Sequence, residues 1–219
     1  FEQAPIQILV VLVLAVLLLG VLSLDGRLSR LDGAVLLVGF ALSVIYLIHL
    51  SKKGLDIQPT GEVAETLEKA DKLNKWKSLG IFIVSLIGIV VGSEILVKSS
   101  ENIIALIGLS DTVFGMTILA FLVSIEELAR ELPAAMKGRP EISFGNVVGS
   151  ILAFFLFNAG IIALVKPVTV DEQTLRYYFP ICLLTVVVVS LFMITKKVSR
   201  WAGAILVLLY VAFITIGFL

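Results

Sequence analysis

The 219 residues are 59% hydrophobic and 16% charged, with a mean hydropathy of +1.09. A soluble domain carries about 45–50% apolar and about 25% charged residues, and so large an excess cannot be hidden in a soluble core. Seventeen basic side chains balance seventeen acidic ones, which excludes a nucleic-acid-binding field; the lone Cys182 excludes an internal disulfide and a cysteine-based zinc site. What remains is an all-α polytopic membrane protein.

A helix needs about 20 apolar residues to cross the hydrocarbon core of a bilayer. On that ruler the chain holds seven transmembrane spans, A to G, at 5–24, 33–51, 78–98, 111–136, 142–165, 175–195 and 201–219. Span A does not read as a signal peptide, because Glu2 rather than a basic stretch precedes a long apolar run. The chain opens at Phe1 without an initiator Met, so upstream residues are expected to have been removed or to be carried elsewhere. Seven spans put alternate connections on opposite faces. One face receives Lys52, Lys53, Lys69, Lys72, Lys75 and Lys77 of the B–C loop, Lys137 and Arg139, and Lys196, Lys197 and Arg200. The other receives only Arg27, Arg30, Lys98, Lys166 and Arg176. The positive-inside rule then places the 52–77 loop in the cytoplasm and the C-terminus outside, in a plasma-membrane protein. Within that loop Glu65 and Glu68 face Lys69 and Lys72 at helical spacing, which reads as a surface helix or a tethered linker.

Residues 28–40 (LSRLDGAVLLVGF) and 198–210 (VSRWAGAILVLLY) share Ser-Arg-x-x-Gly-Ala in one register. Spans B and G are an odd number of steps apart, so the two copies cross the membrane in opposite senses, as in inverted-repeat transporters. The second repeat, 78–219, has five helices, whereas 1–51 supplies only the last two of a first, incomplete repeat. The expected whole is a 5+5 fold whose missing helices come from an upstream segment, a second chain or another copy.

Span D concentrates Glu126, Glu127, Arg130 and Glu131 in an apolar stretch. Each such group costs about 2.5–3.5 kcal/mol at a helix centre, so the four must face protein, water or one another. Glu127 is the deepest. Glu131 reads as solvated at the end of the span, and Arg130 as a fixed counter-charge more than a ligand. Pro133 frees a backbone carbonyl near the cluster and is the expected point of helix discontinuity. In span E, Gly145 and Gly149 are expected to let D and E approach closely, with Glu127 facing Ser150. Asn146, Ser150 and Asn158 fall on one face and offer neutral oxygens, although plain helix–helix hydrogen bonding accounts for them nearly as well. No HExxH, nucleophile elbow, P-loop or dinucleotide fingerprint occurs, so an enzyme is not expected.

These residues resemble the second alpha-repeat of the calcium/cation antiporter superfamily, especially prokaryotic sodium/calcium exchangers. The resemblance is carried by G-x-E-x-x-V at 92–97, I-G-x-S-D at 107–111, F-G-x-T-x-x-A-F at 114–121, S-x-x-E-L at 124–128 and G-N-V-x-G-S at 145–150, in register without gaps. The alpha-repeat portion is then about 111–160. The resemblance implies a metal-binding Glu127, with Ser150, Ser124, Asn158 and Glu126 as further ion-binding candidates and no cofactor. It departs at Leu122, Val123 and Glu126, which replace the family's Gly, Thr and Pro, and at Ile151 and Phe154, which replace oxygen-bearing ligands. The implied function is alternating-access exchange of Na⁺ or H⁺ for a divalent cation, most simply Ca²⁺. Alternatives are H⁺-coupled exchange of another cation, or a non-transporting membrane scaffold that kept the fold and lost the site. The expected partners are the lipid bilayer and small cations, and no nucleic acid.

Overall fold

The computed structural model describes residues 6–52, 75–108, 110–138, 140–194 and 199–217. The described chain is helical apart from two short strands. In order it runs α1 (Ile6–Leu22), β1 (Arg27–Leu28), α2 (Arg30–Lys52), α3 (Lys75–Ile107), α4 (Asp111–Phe114), a π-helical segment (Gly115–Leu119) and α5 (Ala120–Met136). It continues through α6 (Pro140–Leu152), a second π-helical segment (Ala153–Asn158), α7 (Ala159–Val165) and β2 (Val168–Thr169). A third π-helical segment (Thr174–Tyr178), α8 (Phe179–Ile194) and α9 (Arg200–Gly217) complete it. Five helical stretches are long and apolar enough to cross a membrane: Arg30–Leu50, Trp76–Ile107, Asp111–Met136, Ser143–Val165 and Thr174–Ile194. Two shorter apolar helices, Ile6–Leu22 and Arg200–Thr215, fill the remaining expected positions. The protein is an all-α polytopic membrane protein.

The chain divides into two compact units, Phe1–Asp56 with Met116–Leu219, and Ile57–Gly115. The second unit is dominated by α3, whose 33 residues extend about 50 Å at 1.5 Å per residue, well beyond the about 30 Å of a bilayer core. Span C was expected to end at 98, yet α3 continues to Ile107. Ser99-Ser100-Glu101-Asn102 are polar but helix-compatible, and the first residue able to stop the helix is Gly108, at φ +75°. Glu94 and Lys98, one turn apart, pair at 2.8 Å on an exposed face of α3.

The first unit holds the core. Leu9, Leu12 and Val16 of α1, Leu36 of α2, Leu152 and Leu156 around the α6–π junction, Ala163 of α7 and Val186 of α8 are buried together. Helix α2 crosses α7 at close range. A Cβ added at Gly33 would meet the Gly160 carbonyl oxygen at 2.7 Å and the Leu164 nitrogen at 2.9 Å, and one at Gly160 would meet Leu37 and the Gly33 oxygen. Only glycine admits backbones that near.

The recurring Ser-Arg-x-x-Gly-Ala has a local physical meaning. Ser29 caps α2: its Oγ accepts from the Asp32 N–H at 3.3 Å, while Asp32 Oδ2 accepts from the Ser29 N–H at 2.8 Å, a reciprocal capping box. Ser199 stands in the same relation to α9, its Oγ accepting from the Ala202 N–H at 3.2 Å. The motif is thus a helix start written twice. Antiparallel pairing of β1 with β2 (Arg27 opposite Thr169, Leu28 opposite Val168) gathers the α1–α2 and α7–α8 connections at one end of this unit. From that end the π segment and α8 carry the chain about 31 Å across. The short stretch between Ile194 and Arg200 cannot return it, so α9 starts at the opposite end from α2.

Candidate ion-binding site

Helices α5 and α6 form an antiparallel pair joined at a tight turn, in which Gly138 adopts φ +71°. Glu127 stands nine positions before the last residue of α5, and Ser150 ten positions after the first of α6. At 1.5 Å per residue both lie about 14–15 Å from the turn, a distance equal to about half the thickness of a bilayer core. There the Ser150 hydroxyl donates to Glu127 Oε1 at 2.9 Å, joining the two residues that the sequence pairs. Both side chains are half-buried.

One turn nearer the α5–α6 turn, Glu131 is held from two directions. The Asn146 amide donates to its Oε1 at 2.6 Å and the Ser143 hydroxyl to its Oε2 at 2.8 Å. Glu131 is therefore built into the helix interface rather than left as the solvated end residue its position suggests. The signal for this was present in part, because Glu127 and Glu131 at i,i+4 share a face of α5. What the sequence did not single out was Ser143, which completes an i,i+3,i+7 stripe with Asn146 and Ser150 on α6. That stripe corrects another expectation. Gly145 and Gly149 do not mediate the approach of α5 and α6: a Cβ on either would meet no atom of the described residues within 4 Å, and both are exposed. They lie about 110° around α6 from the Ser143–Asn146–Ser150 stripe, and the polar stripe is the one that faces α5.

The remaining candidates are dispersed. Ser124, one turn before Glu127, is exposed and hydrogen-bonds to neither carboxylate. Asn158 ends the second π segment, half-buried, and likewise contacts neither. The side chains of Glu126 and Arg130 lie outside the described residues. Backbone irregularity also falls elsewhere than expected: α5 runs through Pro133, and the departures from α geometry are the π segments 115–119 and 153–158. Each π turn inserts a residue into the helical ladder and re-aims the side chains beyond it, a feature frequent at functional sites. Among the described residues no group of three or more His, Cys, Asp or Glu converges as a metal cage. The arrangement is instead a row of neutral donors holding two carboxylates between apolar helices. Such a row can hold a hard cation or a proton.

Those features define a membrane protein with ionisable groups inside its helix pair. Residues 77–219 match the family model described as sodium/calcium exchanger protein. The chain belongs to that family. It is 32% identical over 143 residues to the sodium/calcium exchanger MaX1 of Methanosarcina acetivorans, covering 65% of this chain and 41% of that protein. It is 31% identical over 205 residues to the uncharacterized membrane protein MJ0091 of Methanocaldococcus jannaschii, covering 93% of this chain and 63% of the relative. A Ca(2+)/H(+) antiporter of Synechocystis is 27% identical over 150 residues, covering 68% of this chain and 40% of its own length. The chain thus spans from about two-fifths to under two-thirds of the length of these curated relatives. No solved structure matches it significantly.

Proposed function

We propose that this chain supplies the ion-binding part of a secondary active antiporter that exchanges Na⁺ or H⁺ for a divalent cation, most simply Ca²⁺, by alternating access. Glu127 is the carboxylate that the two ions occupy in turn, and Ser150 contributes a neutral oxygen. The observation that carries this reading is the 2.9 Å Ser150–Glu127 hydrogen bond between two apolar helices of an exchanger-family chain. A carboxylate at that depth costs about 2.5–3.5 kcal/mol, which a structural role alone does not repay but a bound cation does. Ca²⁺ takes six to eight oxygens, so two side chains leave room for water and for ligands from elsewhere. Glu126, Ser124 and Asn158 are the remaining candidates within the chain, with Arg130 as a counter-charge.

The other ligands come, in this reading, from a first repeat of which 1–51 is the end. Its support is the twice-written helix start at Ser29 and Ser199, the opposite starting ends of α2 and α9, and the greater length of the relatives. The protein sits in the plasma membrane with the 52–77 loop in the cytoplasm, on the strength of the basic-residue asymmetry.

Proton coupling is the second reading. Ile151 and Phe154 replace oxygen ligands, and Ser150 is the one hydrogen-bond partner of Glu127 among the described residues. A proton needs only a carboxylate oxygen, whereas a bare cation needs several oxygen ligands. Reconstitution into proteoliposomes, with Ca²⁺, Mn²⁺ and Mg²⁺ fluxes measured separately under Na⁺ and pH gradients, decides between these. Gradient-independent leak, or no flux of any of the three ions, refutes antiport.

A further inference from the structure

Glu131 lies outside the proposed exchange position, yet it makes more cross-helix hydrogen bonds than Glu127 does. Its two oxygens each take one donor, Asn146 on Oε1 and Ser143 on Oε2. A carboxylate has about four lone-pair sites, so half of its acceptor capacity stays open. Both of these partners are neutral, so they orient the charge without cancelling it. If the contact served only to join α5 to α6, an uncharged side chain would do so without drawing a charge into the helix interface.

The position of Glu131 gives the charge a direction. It stands four residues, about 6 Å, from Glu127, and five residues, about 7.5 Å, from the end of α5. Between the α5–α6 turn and Glu127 the interface therefore presents Ser143, Asn146 with Glu131, then Ser150 with Glu127. Among the described residues, every side-chain hydrogen bond between α5 and α6 lies on this stretch. Beyond Glu127 the chain offers Leu122, Val123, Ile151 and Phe154, and Ser124 there is exposed and hydrogen-bonds to neither carboxylate.

From this juxtaposition we propose that Glu131, with Ser143 and Asn146, is an entry station for cations. An ion arriving from the side of the α5–α6 turn is held there, one helical turn short of Glu127. This inference rests on the proposed function for the destination of the ion, but not for the route. Glu131 attracts the cation and sets its rate of arrival from one side only. The apparent preference of Glu127 for one ion over another is left unchanged.

Two measurements on the reconstituted protein test this. In a Cys182→Ser background, Ser143→Cys is labelled from the turn side by small thiol reagents of opposite charge. A cationic reagent is expected to react about tenfold faster than an anionic one, the scale of electrostatic focusing in a narrow cleft. Ca²⁺ slows the reaction, and Glu131→Gln abolishes the charge preference. In the flux assay, Glu131→Gln is expected to lower the rate at sub-saturating Ca²⁺ about tenfold from the turn side, with saturating rate and opposite-side rate unchanged. Glu131→Asp keeps the charge and restores most of that rate, and the wild-type labelling ratio needs no Glu131 variant to fold. A Ser143→Cys thiol that is unreactive from the turn side, or reacts without charge preference, overturns the proposal. An equal loss of flux from both sides in Glu131→Gln overturns it too. Charge-selective labelling in a protein without coupled flux would instead refute the antiport reading and leave the entry station standing.

Discussion

Replacing Glu127 by Gln preserves its volume and removes its charge, and the structure allows both consequences to be sized. The first is on folding. Ser150 now donates to a neutral amide oxygen, so a charge-assisted bond worth about 1.5–3 kcal/mol becomes one worth about 1 kcal/mol. Against that loss, removing a carboxylate from mid-helix relieves about 2.5–3.5 kcal/mol of insertion cost. The relief wins, so the variant is expected to melt no lower than the parent. The second consequence is on the ion. Removing one partner of a desolvated charge pair costs about 2–5 kcal/mol, which at 1.4 kcal/mol per decade weakens cation binding by about 30-fold to about 4,000-fold. Near the parent's half-saturating concentration, coupled flux falls to background. The assay is ⁴⁵Ca²⁺ uptake into proteoliposomes, paired with thermal melting and size-exclusion behaviour of the same preparation. Wild-type uptake in Glu127→Gln would refute the central assignment. Lost uptake with a lowered melting temperature would place Glu127 in the scaffold instead.

Ser150→Ala removes one neutral oxygen and leaves the Glu127 carboxylate without its cross-helix donor, so half-saturation for Ca²⁺ should rise about tenfold, for a loss of about 1.5 kcal/mol, in a concentration series of the same uptake assay. Gly33→Ala forces a methyl to within 2.7 Å of the Gly160 carbonyl, and about 1–3 kcal/mol of overpacking should lower the melting temperature in detergent. Gly145→Ala, at a position open among the described residues, should leave that temperature unchanged or raise it slightly, since alanine is the better helix former. An alkaline phosphatase fusion should be active after Leu219 and inactive within the 52–77 loop, and the reverse pattern would invert the proposed orientation.

Much of this protein is written locally. Apolar run length gives the seven helical segments, because the bilayer sets the length a helix must have. Ser-Arg-x-x-Gly-Ala, met twice, is a capping motif whose donors and acceptors lie within four residues. The pairing of Glu127 with Ser150 was also legible, since a charge in an apolar span must find a polar partner at similar depth and few were on offer. What sequence could not supply was the angle at which each helix faces its neighbours. In a soluble helix the polar face marks the outside, but here lipid and protein interior are alike apolar, and α1, α2 and α8 carry no outward face to read. Gly33 and Gly160, one on each of two helices, make the close backbone crossing, and the i,i+4 pair Gly145 and Gly149 does not. The same rotation turns Ser143 and Asn146 toward Glu131, converting a residue that reads as a solvated helix end into part of the interface. The π segments leave no mark that proline and glycine rules detect, because they arise where packing demands an extra residue in a turn. Hydropathy determined which residues enter the membrane, and tertiary packing determined which of them meet.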